Sequence, residues 1–450
     1  MSARTRCLAE RDERQVSVSR IIGIRHRVKR TAEGKARPTQ VTIETNGKKT
    51  LFDLATETDE LDFVLGRYPT AYRPYADGED LSGFLKRQLK TKTEGEGDDA
   101  KTVILKVSSE FDGLQTGDEV VMVLGGSGDR FAFALSKRGE KIGASVHRLP
   151  SFELNARRGE VSKDDDSSTL VRIFRENPEL FYEVGVRDRE LIQLKEAFYG
   201  RAEAQRARIG CEQRLGSRVI GKIFLSEEGL YPDGLLEDAC DAEKATDAIL
   251  KGLVKEEKRR DAELKFAVHR LYVWREIFVG IEGVGETIAA GVIVAVGDIR
   301  RFKTDVKLKK FLGVHVQSDG RFPRKRVGTV ANWHPRGRQA LYLLAGQFIY
   351  RPDSVWGLKL REYKAKFRAK HPVVECSTCD VPWDKCRKKV VVETTEELEG
   401  EKHTRRYTDG HIHKMAMWRT LTKFVEALHR DWSALEKRRV VTPSAEEPAA

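Results

Sequence analysis

The apolar period of this chain changes once, near Ser168, and that change separates what its parts are able to fold into. Up to about Phe152 the apolar residues fall in short β-rich runs: Arg20 to Val28, Thr39 to Glu44, Thr50 to Ala55, Thr102 to Val107, Glu119 to Leu124 and Lys141 to His147. Short runs bounded by turn residues are a strand signal, and these are compatible with a single sheet. Between them, Gln88 to Lys101 is polar and glycine-containing and is expected as a surface loop. Ser127 to Arg138 is expected as a helix after the Gly125-Gly126 turn. Strand, glycine turn, helix, strand is the order of an α/β layer.

From Ser168 to about Phe278 the pattern takes on a helical period, with Val184 to Val219 and Leu235 to Ile277 as long amphipathic candidates joined near Gly229, Pro232 and Gly234. Charged helices of this length read as a spacer or as a coiled-coil arm, and an arm favours dimerisation.

Composition narrows the class of protein. At 450 residues the chain exceeds one ordinary domain. With 40% hydrophobic and 34% charged residues it has no apolar run approaching a bilayer span. Met1 to Arg20 is crowded with Arg and Glu and lacks the apolar core of a secretory signal, so the expected compartment is the cytoplasm. A net charge of +12 favours a polyanionic partner, because lysines and arginines that neutralise phosphates release condensed counterions. Cys7, Cys211 and Cys240 stand alone and are expected as ordinary thiols.

The third part runs from Val279 to about Leu435. Ile281 to Ala290 has the pattern of a helix-hairpin-helix turn, in which Gly283 and Gly285 permit the tight bend and the amides opening the next helix, Thr287 to Val296, point toward a phosphate. Gly297 ends that helix and Asp298 is placed to cap the turn after it. Downstream lie Arg300, Arg301, Lys303, Lys307, Lys309, Lys310, Arg321, Arg324, Lys325, Arg326, Arg336 and Arg338, against only Asp305 and Asp319. Such a run reads as a phosphate-tracking face for DNA or as a solvated surface. Phe322, Trp333 and His334 lie among these charges, where an aromatic ring either stacks on an unpaired base or anchors packing.

The stretch from Ile281 through Phe302 and Lys310 to Gly313, then Ser318, Asp319, Gly320, the basic residues to Gly328, and Arg336 to Leu344, resembles the C-terminal domain of the IS116/IS110/IS902 family of insertion-sequence transposases. The helix His413 to Leu428 resembles that family's closing helix, although the insert before it departs from the usual pattern. The resemblance implies a RuvC-like (RNase H-like) N-terminal α/β sheet domain with a DEDD acid set, a helical arm, and a mainly α C-terminal domain with a helix-hairpin-helix. It also implies recombinase activity on DNA guided by a bridge RNA. By position, Ser318 matches the family's DNA-attacking serine, and Arg321 and Arg324 beside it offer cations to a phosphoryl group. Ser-Asp-Gly is equally an ordinary turn sequence.

The acid set implied by the resemblance would hold Mg²⁺. Its first member should follow Ile24, where Arg25 stands, and its second should close the strand through Val123, where Leu124 stands. Candidates for the last pair are Asp164, Asp165 and Asp166, which read equally as a charged loop leading into a helix. Asp53, Glu110 and Asp112 are not singled out by spacing. Separately, Cys376, Cys379 and Cys386 have the spacing of a structural Zn²⁺ site whose fourth ligand is unassigned, with His403, His411 and His413 downstream.

The organisation expected is therefore a RuvC-like domain over 1–167, a helical arm over 168–278, a transposase domain over 279–435 with a cysteine-containing insert at 372–410, and an unstructured tail over 436–450. The function expected is DNA transposition by strand cleavage and exchange, by a homo-oligomer (dimer or tetramer) with DNA and a guide RNA as partners. Two other readings stand beside it. One is a nucleic-acid-binding descendant with an inactive sheet domain, and the other is a zinc-stabilised assembly protein.

Overall fold

The computed structural model describes residues 20–28, 34–94, 101–229, 231–318, 320–325, 327–371 and 409–441. The chain divides into two compact units between Ile192 and Gln193.

In the first unit β1 (Ile21–Arg25), β2 (Thr39–Thr45) and β3 (Lys48–Leu54) form an antiparallel meander. Asn46 and Gly47, both at positive φ, supply the left-handed backbone that a two-residue hairpin needs. α1 (Glu57–Val64) follows, begun by a capping box in which Thr56 and Asp59 satisfy each other's backbone N–H groups. Next come β4 (Tyr68–Pro74), β5 (Leu89–Glu94) and β6 (Lys101–Asp112), then β7 (Glu119–Leu124), α2 (Asp129–Ile142), β8 (Ser145–Pro150), α3 (Ser151–Arg158), α4 (Asp166–Glu176) and β9 (Tyr182–Glu183). The main sheet has the order β3-β2-β1-β7-β8-β9, with β1, β7 and β8 parallel.

Two apolar layers sandwich that sheet. Ile22, Ile24, Val41, Ile43, Val120, Met122 and Val146 pack on Phe131, Ala132 and Leu135 of α2 on one face. Ile21, Val121 and Leu149 pack on Leu170, Val171 and Ile173 of α4 on the other. Gly23 is the close-approach point. A Cβ there would stand 2.0 Å from the Ser167 carbonyl oxygen, so only glycine lets α4 lie this near β1.

Three expectations change here. β6 does not join the main sheet but lies between β4 and β5 in a separate three-stranded sheet. The polar segment after Gln88 is strand from Leu89 to Glu94, because alternating Lys and Thr side chains suit an exposed strand as well as a loop. The run Lys141 to His147 is not one strand. Gly143 adopts a left-handed conformation, caps α2, and delays β8 to Ser145. α4 and β9 also lie in the first unit, beyond the expected boundary at residue 167.

α5 (Val186–Phe224) contains the division between the units. The second unit continues with α6 (Leu236–Thr246), α7 (Ala248–Arg270), a π-helical turn at Trp274–Phe278, α8 (Glu286–Val296), α9 (Asp305–Leu312), α10 (Pro335–Tyr350), α11 (Val355–Lys370) and α12 (Asp409–Val441). Asp247 breaks the long predicted helix by capping α7 through the Leu250 amide. α5 and α7 meet through Cys211, Leu215 and Leu250 and through the Arg208–Glu257 ion pair. α8 is the apolar centre of the unit, with Ala289, Ala290, Val292, Ile293 and Val296 all buried. α12 buries Ile412, Ala416, Leu421, Phe424, Val425, Leu428, Trp432 and Leu435, and it runs on to Val441, past the expected start of the tail. Cys211 and Cys240 are free, buried thiols. Among the described residues no helix is long and apolar enough to cross a membrane.

Candidate functional site

The glycine turn is built as the sequence suggests. Val284 N–H donates to the Ile281 carbonyl at 3.1 Å, Gly283 has φ +80°, and Gly285 opens α8 from extended backbone. A side chain at Gly283 would also collide with the guanidinium of Arg351. The helix start is not vacant, however. The Glu286 carboxyl accepts its own backbone N–H and pairs with His269 at 3.1 Å, and these contacts hold it below the usual carboxylate range. A phosphate approaching these amides would meet the Glu286 carboxylate.

The basic residues sort into two sets. Arg301 lies over the rings of Phe302 and Phe311, each at 4.6 Å, and Arg336 over Tyr199 at 4.6 Å. Arg338 sits between the indoles of Trp333 (4.8 Å) and Trp418 (4.5 Å) and donates to the Pro323 carbonyl at 2.6 Å. Burial lowers the pKa of Arg338. Trp333 in turn packs on Gly313, where a Cβ would come within 2.7 Å of the indole. Trp333 is thus a packing anchor, and Arg338 ties the loop after α9 to α10 and α12. Lys303, Lys307, Lys310, Arg321, Arg324 and Lys325 are exposed, as is Arg336 despite its ring contact. Arg326 lies outside the described residues.

Ser318 stands on that loop. The Val314 carbonyl, just before it, accepts Thr422 Oγ1 of α12 at 2.7 Å. Gln317 and Gly320 close a turn, with Gly320 N–H on the Gln317 carbonyl at 2.9 Å, and Gln317 N–H reaches the Arg321 carbonyl at 2.9 Å. The exposed serine lines an open pocket with Lys310, His315, Val316 and Gln317. Burial, then Lys310, then Arg338 lower the pKa of His315, and the nearby Lys309 carbonyl opposes them. His315 keeps its imidazole neutral at pH values where an ordinary histidine begins to charge. Reading the sequence missed His315 because it lies among apolar residues with no motif around it. Asp319 lies outside the described residues.

The acidic candidates are placed differently. Asp164 pairs with Arg37 at 2.5 Å, and Asp166 pairs bidentately with Arg158 at 2.6 and 2.9 Å. Asp165 is exposed. Arg25, at the end of β1, is within electrostatic reach of Asp164, Asp53 and Asp166; burial and Arg37 lower its pKa. A Mg²⁺ ion does not fit these residues. Asp164 and Asp166 are already engaged by arginines, and among the described residues no group of three or more His, Cys, Asp or Glu side chains converges as a metal site. Cys376, Cys379 and Cys386 lie outside the described residues.

The chain thus has a mixed α/β sheet unit and a helical unit that presents a serine on a loop with exposed basic residues. Residues 275–358 match the family model described as Transposase IS116/IS110/IS902 family, a segment that includes the glycine turn, the Ser318 loop and α10. That segment is what the chain shares with this family of insertion-sequence transposases. No curated protein matches the chain.

Proposed function

We propose that this chain is a DNA transposase that cuts and rejoins strands through Ser318. The observation that carries the reading is the position of that hydroxyl. It is exposed, it lies in the family-matched segment, and it shares a pocket with His315 and Lys310. In this scheme Ser318 Oγ attacks a DNA phosphorus, the Oγ–P bond forms, and one P–O bond of the strand breaks. His315 takes the hydroxyl proton and returns it to the departing oxygen. Lys310, with Arg321 and Arg324 on the loop, stabilises the charge that develops on the phosphoryl oxygens. Bond energy is conserved in the serine–DNA ester, so the reverse step joins a new end without an energy source.

The sheet order β3-β2-β1-β7-β8, an antiparallel meander followed by parallel strands, supports reading the first unit as RuvC-like. The Gly283 turn supports a helix-hairpin-helix that shapes the second unit. No step is assigned to Mg²⁺. DNA is the substrate, a guide RNA is a partner on the family resemblance, and holding two DNA ends calls for a dimer or tetramer. The Cys376, Cys379 and Cys386 spacing supports structural Zn²⁺, and a zinc-free reduced preparation would remove that assignment.

The deciding experiment is strand cleavage and exchange on the element's own ends, with co-purifying RNA retained, comparing wild type with Ser318→Ala. The expected results are a covalent protein–DNA adduct in wild type and none in the variant. Equal cutting by both would sink the serine assignment. The arginines around Asp164 and Asp166 favour a second reading, a descendant that binds DNA without cutting, and wild type that binds the ends but forms no adduct would establish it.

A further inference from the structure

One edge of the main sheet gathers ions of both signs. The strand registers pair Arg25 with Gln40 and Gln40 with Asp53, so these three residues form one row across β1, β2 and β3. The row lies on the face toward α4, since Gln40 Oε1 accepts Ser167 Oγ at 2.7 Å in the first turn of that helix. That contact sets the row beside the residues just ahead of Ser167, where Asp164 carries Arg37 and Asp166 carries Arg158. Arg25 itself is held by charge. Its Nε and Nη1 atoms are buried and have no hydrogen-bond partner among the described residues.

We infer that Arg25 is a fixed internal cation that, with Arg37 and Arg158, neutralises Asp53, Asp164 and Asp166, so that this end of the sheet keeps its carboxylates without a divalent metal ion. With Arg25, Arg37 and Arg158 facing Asp53, Asp164 and Asp166, the cluster is neutral as it stands. A guanidinium stays charged at every accessible pH and cannot leave as a metal does. It also repels a divalent ion from the oxygens it neutralises. The inference does not depend on the Ser318 chemistry, and neither test decides the other.

The test is thermal unfolding of the full chain with no added divalent ion, with Mg²⁺ or with Mn²⁺, since an ion that binds only the folded state raises Tm. Wild type is expected to show the same Tm in all three. Arg25→Ala leaves the carboxylates in excess, so its Tm falls and Mn²⁺ raises it again by several degrees. Adding Asp164→Asn to that variant removes the response, and Arg25→Lys, which keeps the charge, behaves as wild type. Two results overturn the inference: a wild-type Tm that rises with Mn²⁺ and loses the rise in Asp164→Asn, or an Arg25→Ala protein that folds but ignores Mn²⁺. Should Arg25→Ala not fold, the wild-type and Asp164→Asn titrations still decide.

Discussion

His334 caps α10 with its ring: Nδ1 accepts the Gly337 backbone N–H at 3.0 Å. That nitrogen must be unprotonated to accept, and burial, then Arg301 and Arg336, lower the pKa of His334. The folded state therefore resists a proton that the unfolded chain takes up near the ordinary value of 6.5. Stability should be flat above that value and fall as pH drops below it. Urea denaturation between pH 5 and 8 is the measurement. His334→Asn keeps a capping oxygen and should flatten this limb, whereas His334→Ala should cost about 1 kcal/mol at neutral pH. An unchanged slope in His334→Asn would count against the assignment.

Arg338 between Trp333 and Trp418 is a structural cation. Replacing it with alanine removes two cation–π contacts and the hydrogen bond to the Pro323 carbonyl, and should cost on the order of 2 kcal/mol. Arg338→Lys keeps the charge but loses the flat group that fills the gap between the rings, so only part of that stability should return. The midpoint of chemical denaturation reads both. A neutral Arg338→Ala would mean that the sandwich does not hold the loop.

Gly23→Ala should be among the most damaging single-methyl changes in the first unit. The new Cβ would fall on the Ser167 carbonyl and on Val171, which are backbone and core and have little room to yield. Overpacking of this kind costs about 1–3 kcal/mol or more. Thermal unfolding monitored by circular dichroism checks it, with Gly47→Ala as the contrast, where only backbone strain and no collision is expected.

The exposed set should account for phosphate binding. Substituting Arg324 and Lys325 together by glutamine should weaken DNA binding and reduce the slope of log affinity against log salt by about 0.9 for each duplex phosphate that is no longer neutralised. Arg338→Gln should leave that slope unaltered, because its guanidinium is enclosed by indoles. Fluorescence anisotropy across salt concentrations separates the two. Equal effects from both sets would mean that the division into inner and outer cations is wrong.

The strands at Ile21, Thr39 and Glu119, the helix from Glu286 to Val296 ended by Gly297, and the cap at Asp298 were legible from local pattern, because propensity, periodicity and turn chemistry act over a few residues. The transposase segment was legible too, since its residues lie close together in the chain. The partners of charged groups were not. Arg37 with Asp164, Arg338 between Trp333 and Trp418, and Arg25 in a row with Asp53 join residues far apart in sequence, and no local rule specifies such pairs. By itself the sequence determined the periods, the turns, the likeness of one segment to a transposase family and the positive charge. Only the tertiary structure decided which cations face outward and which are spent on aromatic rings and carboxylates, because desolvation and ion pairing depend on what the fold brings within a few ångströms.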